Sequence, residues 1–336
     1  MEEITRFEID MLDIGAADAF LLHAFIKYQE RELEYVVLID AGNEGDGKKV
    51  MKHIEDYYGQ KYIDLAICTH CDRDHYGGFK DLLEANYRID RFWIHDPYQH
   101  VDVDDVKYVR NRQTLRKRLD DAYAFADGTN LLELIRNKGI KHEEVFTGDT
   151  YSPLNIEILA PDEDYYERLI PDFRVNLDFK EEQVDEDYES RHYSDSERAY
   201  LYSQALEEAN DDPSKVNQSS IVFRFSALGG TYLFTGDAGK EALHRVIDDD
   251  NGHLKNLRWL KVPHHGSKHN LDNEIISYLH PDSSYISTEK YTKYANRCTV
   301  NALKAVGNVY STHHHGTMCH SRQMGTRQGY STATPL

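Results

Sequence analysis

The sequence predicts a mixed α/β fold, a four-layer αββα sandwich built from a single domain. Apolar, strand-like runs alternate with amphipathic, helix-like runs in two successive halves, roughly Glu8 to Ile158 and Ser220 to Tyr310. That is the pattern of sheets covered by helices. Each half also places clustered His or Asp residues directly after an apolar run, so that both halves aim polar groups from strand ends. A chain of 336 residues, 40% hydrophobic and 29% charged, can bury a large core in one domain or two tightly joined halves.

In chain order, RFEIDMLDIGAADAFLLHAF alternates and then runs apolar, and YVVLIDAG follows a charged turn at Gln29 to Glu34. These read as antiparallel strands ending in glycine turns. GKKVMKHIEDYYG, Gly47 to Gly59, spaces Val50, Ile54 and Tyr57 as a helix does. IDLAIC, Ile63 to Cys68, reads as a short buried strand, GGFKDLLEAN as a helix entered through Gly77 and Gly78, and RFWIH as another strand. Residues 96–130 break the alternation. Within them KYVRNRQTLRKR, Lys107 to Arg118, holds six basic residues in twelve. It is either a solvated helix face balanced by the neighbouring acids or an arm that contacts phosphate or a partner. A helix and a strand, LLELIRNKG and LNIEILAPDE, then restore the pattern. A second insertion, 165–215, carries EEQVDEDYE, six acids in nine residues, and a helix SERAYLYSQALEEAN. Its composition favours a lid or solvated excursion, or a docking surface for a protein partner, over core. VNQSSIVFRFSALGGTYLFTGDAG reads as a hairpin, WLKV and SSYIST as strands, TVNALKAVG as a helix and NVYSTHHHGT as the last strand and turn. The domain is expected to span 1–317, leaving 318–336 as a polar tail.

Chemistry concentrates in HCDRDH. His70, Asp72, Asp74 and His75 fall within six residues between a strand and a helix. Two carboxylates and two imidazoles converging from one loop would repel or stay unpaired unless a cation held them together. Asp237, between Gly236 and Ala238, follows a second apolar run, and His264 and His265 follow a third.

Charge and composition narrow the partners. A formal net charge of −20 repels polyanions at long range and argues against unaided binding of long duplex DNA. No apolar run approaches the roughly 18 residues of a membrane span, and MEEITRFEID is not a secretory signal. The expectation is a cytoplasmic protein without membrane contact. Cysteines at 68, 71, 298 and 319 show no CxxC pair with zinc-ribbon spacing beyond the single Cys68 and Cys71, and a structural disulfide is not expected in that compartment. The 24 tyrosines read first as amphipathic fillers at sheet rims and second as stacking platforms for bases.

HCDRDH resembles the HxHxDH signature of the metallo-beta-lactamase superfamily, with Asp72 where the second His usually stands. That form is similar to the HxDxDH motif, followed by two glycines, of ComEC-type hydrolase domains from DNA-uptake competence proteins. LDIGAADAFLL resembles their LDVGQGDA, with Ala16 and Ala17 replacing Gln and Gly. IDAG, NQSSIVFRF, LFTGD and LKVPHHGSKHN have counterparts as well, so the resemblance runs from about residue 7 to about 317, interrupted by the two insertions. It implies the superfamily's αββα sandwich and two divalent metal ions, Zn by family habit or Mn by ligand hardness. One ion would sit on His70 and Asp72, a second on Asp74, His75 and one of His264 and His265, with Asp237 between them. Spacing does not decide between the two histidines. His264 is taken as ligand and His265, with Asp74 and Asp237, as catalytic. The superfamily usually supplies one more His, for which His95, His100, His142 and His192 are the candidates, none in a matching context. Asp40 would orient His70. Lys261 and Lys268 are phosphate clamps or surface lysines, Ser267 a donor to a phosphoryl oxygen, and His314 in HHHGT a phosphate contact or part of an exposed turn.

The implied reaction is hydrolysis of a phosphodiester by a hydroxide bridging two metals, without a covalent intermediate. The leading expectation is a nuclease acting on single strands or ends. A small phosphoester or signalling nucleotide is the alternative that the charge favours. A third reading is a partner-dependent subunit of a multi-protein system, such as one of genome defence. Hydrolysis of β-lactams is not expected, given Asp72 and the absence of a secretory signal.

Overall fold

The computed structural model describes residues 3–105, 111–173, 194–289, 295–325, 327 and 332–336. The long alternating runs at the start pair as an antiparallel meander of β1 (Glu3–Met11), β2 (Phe20–Tyr28) and β3 (Arg31–Ile39). The reversal between β2 and β3 takes only Gln29 and Glu30, so the rest of the charged stretch, Arg31 to Glu34, is strand and not turn. Shorter strands follow: β4 (Tyr62–Ile63), β5 (Leu65–Ile67), β6 (Arg88–Ile89), β7 (Arg91–Trp93) and β8 (Lys141–Glu143). β5, β7 and β8 extend the sheet in parallel from β3, while β4 and β6 form a two-stranded ribbon beside it. Parallel neighbours need crossovers, and the helices Gly47–His53 and Phe79–Glu84 supply two of them.

The second sheet mirrors this plan. β9 (Thr150–Tyr151), β10 (Ile156–Ala160), β11 (Val222–Ala227) and β12 (Gly230–Phe234) are antiparallel, and β13 (Trp259–Lys261), β14 (Ser283–Ile286) and β15 (Asn308–Ser311) continue in parallel. β16 (Met318–Arg322) then returns to pair antiparallel with β1. The result is two seven-stranded sheets, ordered β16-β1-β2-β3-β5-β7-β8 and β15-β14-β13-β12-β11-β10-β9. Inward residues of both meet in a shared core. Phe7 of β1 packs edge-on against Phe225 and Tyr232 at 5.0 and 4.9 Å, and Phe20 of β2 against Phe234 and Trp259 at 6.1 and 6.2 Å. The outward faces bury Leu38, Ala66, Phe92, Leu233, Leu260 and Ile286 with the apolar sides of the helices, which completes the αββα layering.

Three expectations about segments need correction. β10 belongs to the second sheet, so the first half ends near β8 and not at Ile158. Residues 318–322 are not tail. Met318 enters the core between the sheets, and Cys319 pairs with Asp10 on the opposite face. Their polarity reflects an edge strand with one face outside the apolar core. The acidic insertion also divides. Its Asp195–Glu207 helix, capped by Ser194 and Glu197, buries only Tyr202 and Leu206, but the chain then turns inward to Asp212, Asn217 and Gln218, all buried. EEQVDEDYE lies outside the described residues. In the first insertion, the Arg112–Asp121 helix pairs Arg112 and Arg116 with Asp104 at 3.4 and 2.8 Å. Two of its four basic residues are therefore paired within the insertion itself. No helix among the described residues is long and apolar enough to cross a membrane.

Candidate metal centre

The parallel halves of both sheets run their carboxyl ends toward one place, and the loops leaving β3, β5, β12 and β13 meet there. After β5, Thr69 to His75 forms a turn and one short helix. Asp72 stands at the helix N-cap, yet its side chain makes no capping bond. Its Oδ2 lies 3.8 Å from His70 Nε2 instead.

Each imidazole is anchored through Nδ1. His75 Nδ1 bonds Asp40 Oδ2 at 2.8 Å. His70 Nδ1 lies 3.0 Å from Thr69 Oγ1 and 3.3 Å from Ser220 Oγ, and the Thr69 hydroxyl itself donates to Asp40. His265 Nδ1 donates to the Ser287 carbonyl at 3.0 Å. In every case the second nitrogen, Nε2, faces the common space. His70 Nε2 and His75 Nε2 are buried there without any hydrogen-bond partner. Asp40 thus orients His75 directly and reaches His70 only through Thr69. The φ of +55° at Asp40, left-handed for a residue with a side chain, is where the chain holds it.

Ligand atoms of His70, His75 and Asp237 lie within 4.8 Å of one another, as do those of Asp74, His75 and His265. Asp237 Oδ2 is 3.2 Å from His75 Nε2, and Asp74 Oδ2 is 3.3 Å from His265 Nε2. Donors about 2.0–2.1 Å from a tetrahedral ion stand roughly 3.3 Å apart, so these separations suit a shared cation better than direct bonds. Gly236, at φ +50°, lets Asp237 come this close. A Cβ there would sit 2.8 Å from that of Ser220. Asp237 also accepts from its other side. Oδ1 lies 3.1 Å from Lys261 Nζ and 3.2 Å from His264 N.

The electrostatics agree. Burial, helped by His75, pushes His70 down to about 3, leaving it neutral and able to coordinate. Burial alone would also lower His75, but Asp237, Asp40 and Asp74 outweigh it and hold His75 well above its usual value. A proton there balances the surrounding carboxylates as a metal would. Burial would raise Asp74 and Asp237, yet the adjacent imidazoles, with Lys261 beside Asp237, keep both below the carboxylate range.

The expected residues do not all gather. The structure favours His265 over His264 beside Asp74, the reverse of the assignment above. His264 and His265 take φ values of +44° and +52°, and this left-handed pair turns the two rings to different partners. His264 Nδ1 bonds Asp212 at 2.9 Å, and its Nε2 is 4.0 Å from Asp237. Lys261 is neither clamp nor surface lysine. It is 2% exposed, with Nζ 2.5 Å from both Asp18 Oδ2 and the Gly236 carbonyl. Ser267 is buried, its hydroxyl accepting the His269 N–H at 3.2 Å. Lys268 is half-buried near Cys298. His314 is exposed and packs on His313 at 4.2 Å; among the described residues it has no contact with the cluster. His95 is buried against the Val145 carbonyl, His100 faces Glu144 and Glu167, and His142 bonds Ile140, so none joins His70. His192 lies outside the described residues.

Sequence reasoning overlooked Asp18, Asp212, Asn217 and Ser220. Asp18 lies in GAADA, and Asn217 and Ser220 lie in NQSSIVFRF, both stretches whose strand-like pattern does not reveal where these polar side chains point, and nothing local marks Asp212. A cavity of about 570 Å³ between Tyr285, Tyr310, Cys319 and Arg327 contains none of the cluster. A separate His/Glu group, His100 with Glu163 and Glu167, has exposed carboxylates that the ring of His100 already faces.

The metallo-beta-lactamase superfamily profile matches residues 30–120, the stretch from β3 through HCDRDH to the basic helix. ComE operon protein 3 of Bacillus subtilis (strain 168) is 24% identical over 306 residues, which cover 85% of this chain but 29% of that protein. The chain therefore spans less than a third of that relative's length. Among solved structures, a mutant CmlA beta-hydroxylase aligns with a TM-score of 0.42 at 11% identity, covering 95% of this chain and 54% of that one. A diphosphatase from the PhnP family aligns with a TM-score of 0.36 at 10% identity, covering 83% and 85%. The superfamily fold implies divalent metal binding, and the buried donors fit that group: orphaned imidazole nitrogens and carboxylates, at ligand separations. Residues 30–120 are thus similar to the metallo-beta-lactamase superfamily, and the chain is similar over 85% of its length to ComE operon protein 3.

Proposed function

We propose that this protein is a metal-dependent phosphodiester hydrolase, with a nuclease as the leading form. The observation that carries the reading is the set of imidazoles anchored at Nδ1, two of which leave an orphaned Nε2 facing Asp237. Bound divalent ions would supply Lewis acidity and a water that ionises near neutral pH. His70, Asp72 and Asp237 would hold one ion, and Asp74, His75 and His265, with Asp237 again within reach, would hold a second. The two groups share His75, but its single free nitrogen serves one ion only, and Asp72 completes the other set. Oxygen donors match or outnumber imidazoles in both sets, which favours Mn as much as Zn.

The chain's own residues define what the centre can do. Asp40 and Thr69 hold two imidazoles in the tautomer that coordinates. Lys261 and the His264 N–H occupy Asp237 Oδ1, which leaves Oδ2 for the metal side. The ComEC-type motifs favour a phosphodiester as substrate. The net charge of −20 favours a small phosphoester, or a strand end handed over by a partner, above long duplex DNA.

Purified protein should retain up to two Mn or Zn ions after desalting, and should hydrolyse bis-p-nitrophenyl phosphate only when metal-loaded. Labelled single-stranded, duplex and RNA oligonucleotides then separate the nuclease from the small-phosphoester reading. Protein that retains no metal, or turnover indifferent to chelation, would exclude both.

A further inference from the structure

The acidic insertion ends inside the site. Asp211 accepts Lys240 N at Oδ1 and Glu241 N at Oδ2, at 2.6 and 2.9 Å, at the start of the Lys240–Asp249 helix. Lys240 Nζ in turn donates to the Leu206 and Ala209 carbonyls, at 3.1 and 2.7 Å, where the insertion helix ends. Pinned from both directions, Asp212 is 5% exposed. Its Oδ2 accepts from His264 Nδ1, Asn217 Nδ2 and Asn270 Nδ2 at 2.9, 2.8 and 3.0 Å, and its Oδ1 from Ser214 N at 2.9 Å. A carboxylate so placed accepts only, which fixes the hydrogen of His264 on Nδ1 and turns Nε2 toward the centre.

His264 differs from the other three imidazoles. Its side chain is 21% exposed, against 0% for His70, His75 and His265. It also belongs to neither group of mutually close ligand atoms around Asp237 and Asp74. We propose that Asp212 is a positioning residue that holds His264 outside the metal ligand set, with Nε2 at the mouth where a phosphoryl group enters. The insertion thereby supplies part of the substrate site. The substrate class rests on the metal-centre reading; the Asp212–His264 geometry does not.

The test compares Asp212→Ala, Asp212→Asn, His264→Ala and His265→Ala with the unaltered protein. Metal content after loading with Mn is read by mass spectrometry, affinity for inorganic phosphate by calorimetry, and imidazole protons by NMR of the metal-free, 15N-histidine-labelled protein. His265→Ala should lose bound metal. Asp212→Ala and His264→Ala should keep it and bind inorganic phosphate at least roughly tenfold more weakly, as for a lost hydrogen bond from the phosphate P–OH to Nε2. A slowly exchanging Nδ1 proton should vanish in both and survive in Asp212→Asn, whose side-chain oxygen still accepts. Loss of metal in His264→Ala to the extent seen in His265→Ala would overturn the proposal, as would unchanged phosphate affinity in both His264→Ala and Asp212→Ala. If Asp212→Ala does not fold, His264→Ala and Asp212→Asn decide. Should the unaltered protein bind no metal, the metal-centre reading fails while the imidazole proton still reports on Asp212.

Discussion

Lys261→Met removes a cation from beneath the metal centre while keeping the length and apolar character of the stem. The Lys261 Nζ lies 2.5 Å from Asp18 Oδ2 and 3.1 Å from Asp237 Oδ1, and the three residues are 2%, 0% and 2% exposed. Methionine fills nearly the same volume, so packing contributes little to the loss. The cost comes from two carboxylates left buried without their cation, about 3–5 kcal/mol for breaking such a pair. For 336 residues, an unfolding entropy near 2.1 cal/mol/K per residue amounts to about 0.7 kcal/mol/K, so the metal-free variant should melt about 4–7 °C lower. Added Mn or Zn should restore part of the loss, because cations at Asp237 answer the charge that Lys261 no longer does. A ligand at a hundred times its Kd stabilises by about 2.7 kcal/mol, and the variant should gain more than the unaltered protein does. Scanning calorimetry of both proteins, with EDTA and with saturating metal, measures the four midpoints. A loss of equal size with and without metal would refute the placement of Lys261 as the charge partner of Asp237, and a negligible loss would refute the buried triad.

Other consequences follow from the same geometry. Asp74→Ala and Asp237→Ala should each abolish turnover of bis-p-nitrophenyl phosphate while the fold survives, and the double variant should be little worse, as for residues acting as one unit; additive losses would contradict a shared centre. Burial lowers His95 from 6.5 to about 4, so the unfolded chain binds the extra proton first. Stability is then intact above pH 6.5 and falls by up to about 3 kcal/mol on acidification to pH 4. His95→Gln should flatten that part of the urea-unfolding profile, and an unchanged slope would remove His95 as its source. Ending the chain after residue 317 deletes β16 and bares β1 along Phe7 to Met11, which should leave aggregated or strongly destabilised protein. A monomer with an unchanged melting point would restore 318–336 as a tail.

The legible part of the fold was that written in local pattern. Alternation in β1 to β3, the helical spacing of Val50 and Ile54, and the apolar runs ending at Cys68, Phe234 and Val262 each report their own environment, because a pleat or a helical turn repeats within a few residues. β16 was not legible for the opposite reason. Met318-Cys319-His320 alternates, but its inward His320 packs between Tyr232 and Tyr285, and a histidine in that position reads as solvated until the opposite sheet is known. The insertion misled through averaging, since six acids in nine residues near its middle colour the whole stretch as solvated, while at its end two carboxylates, Asp211 and Asp212, are held by a helix end and side-chain amides.

The site divides along the same line. HCDRDH is legible because its donors share one loop, and a sequence window sees them together. Asp18 and Asp237 belong to different sheets, and only the face-to-face packing brings Lys261 between them. The choice between His264 and His265 is not a property of residue type at all. Both are imidazoles on one strained, left-handed turn, and what distinguishes them is the acceptor behind each Nδ1: a backbone carbonyl at Ser287 for His265 and the Asp212 carboxylate for His264. Neighbours in sequence thus receive different chemistry from partners 22 and 52 residues away. Spacing can therefore bring the candidate donors of one loop into view together, while the roles of adjacent histidines follow from the fold that supplies their anchors.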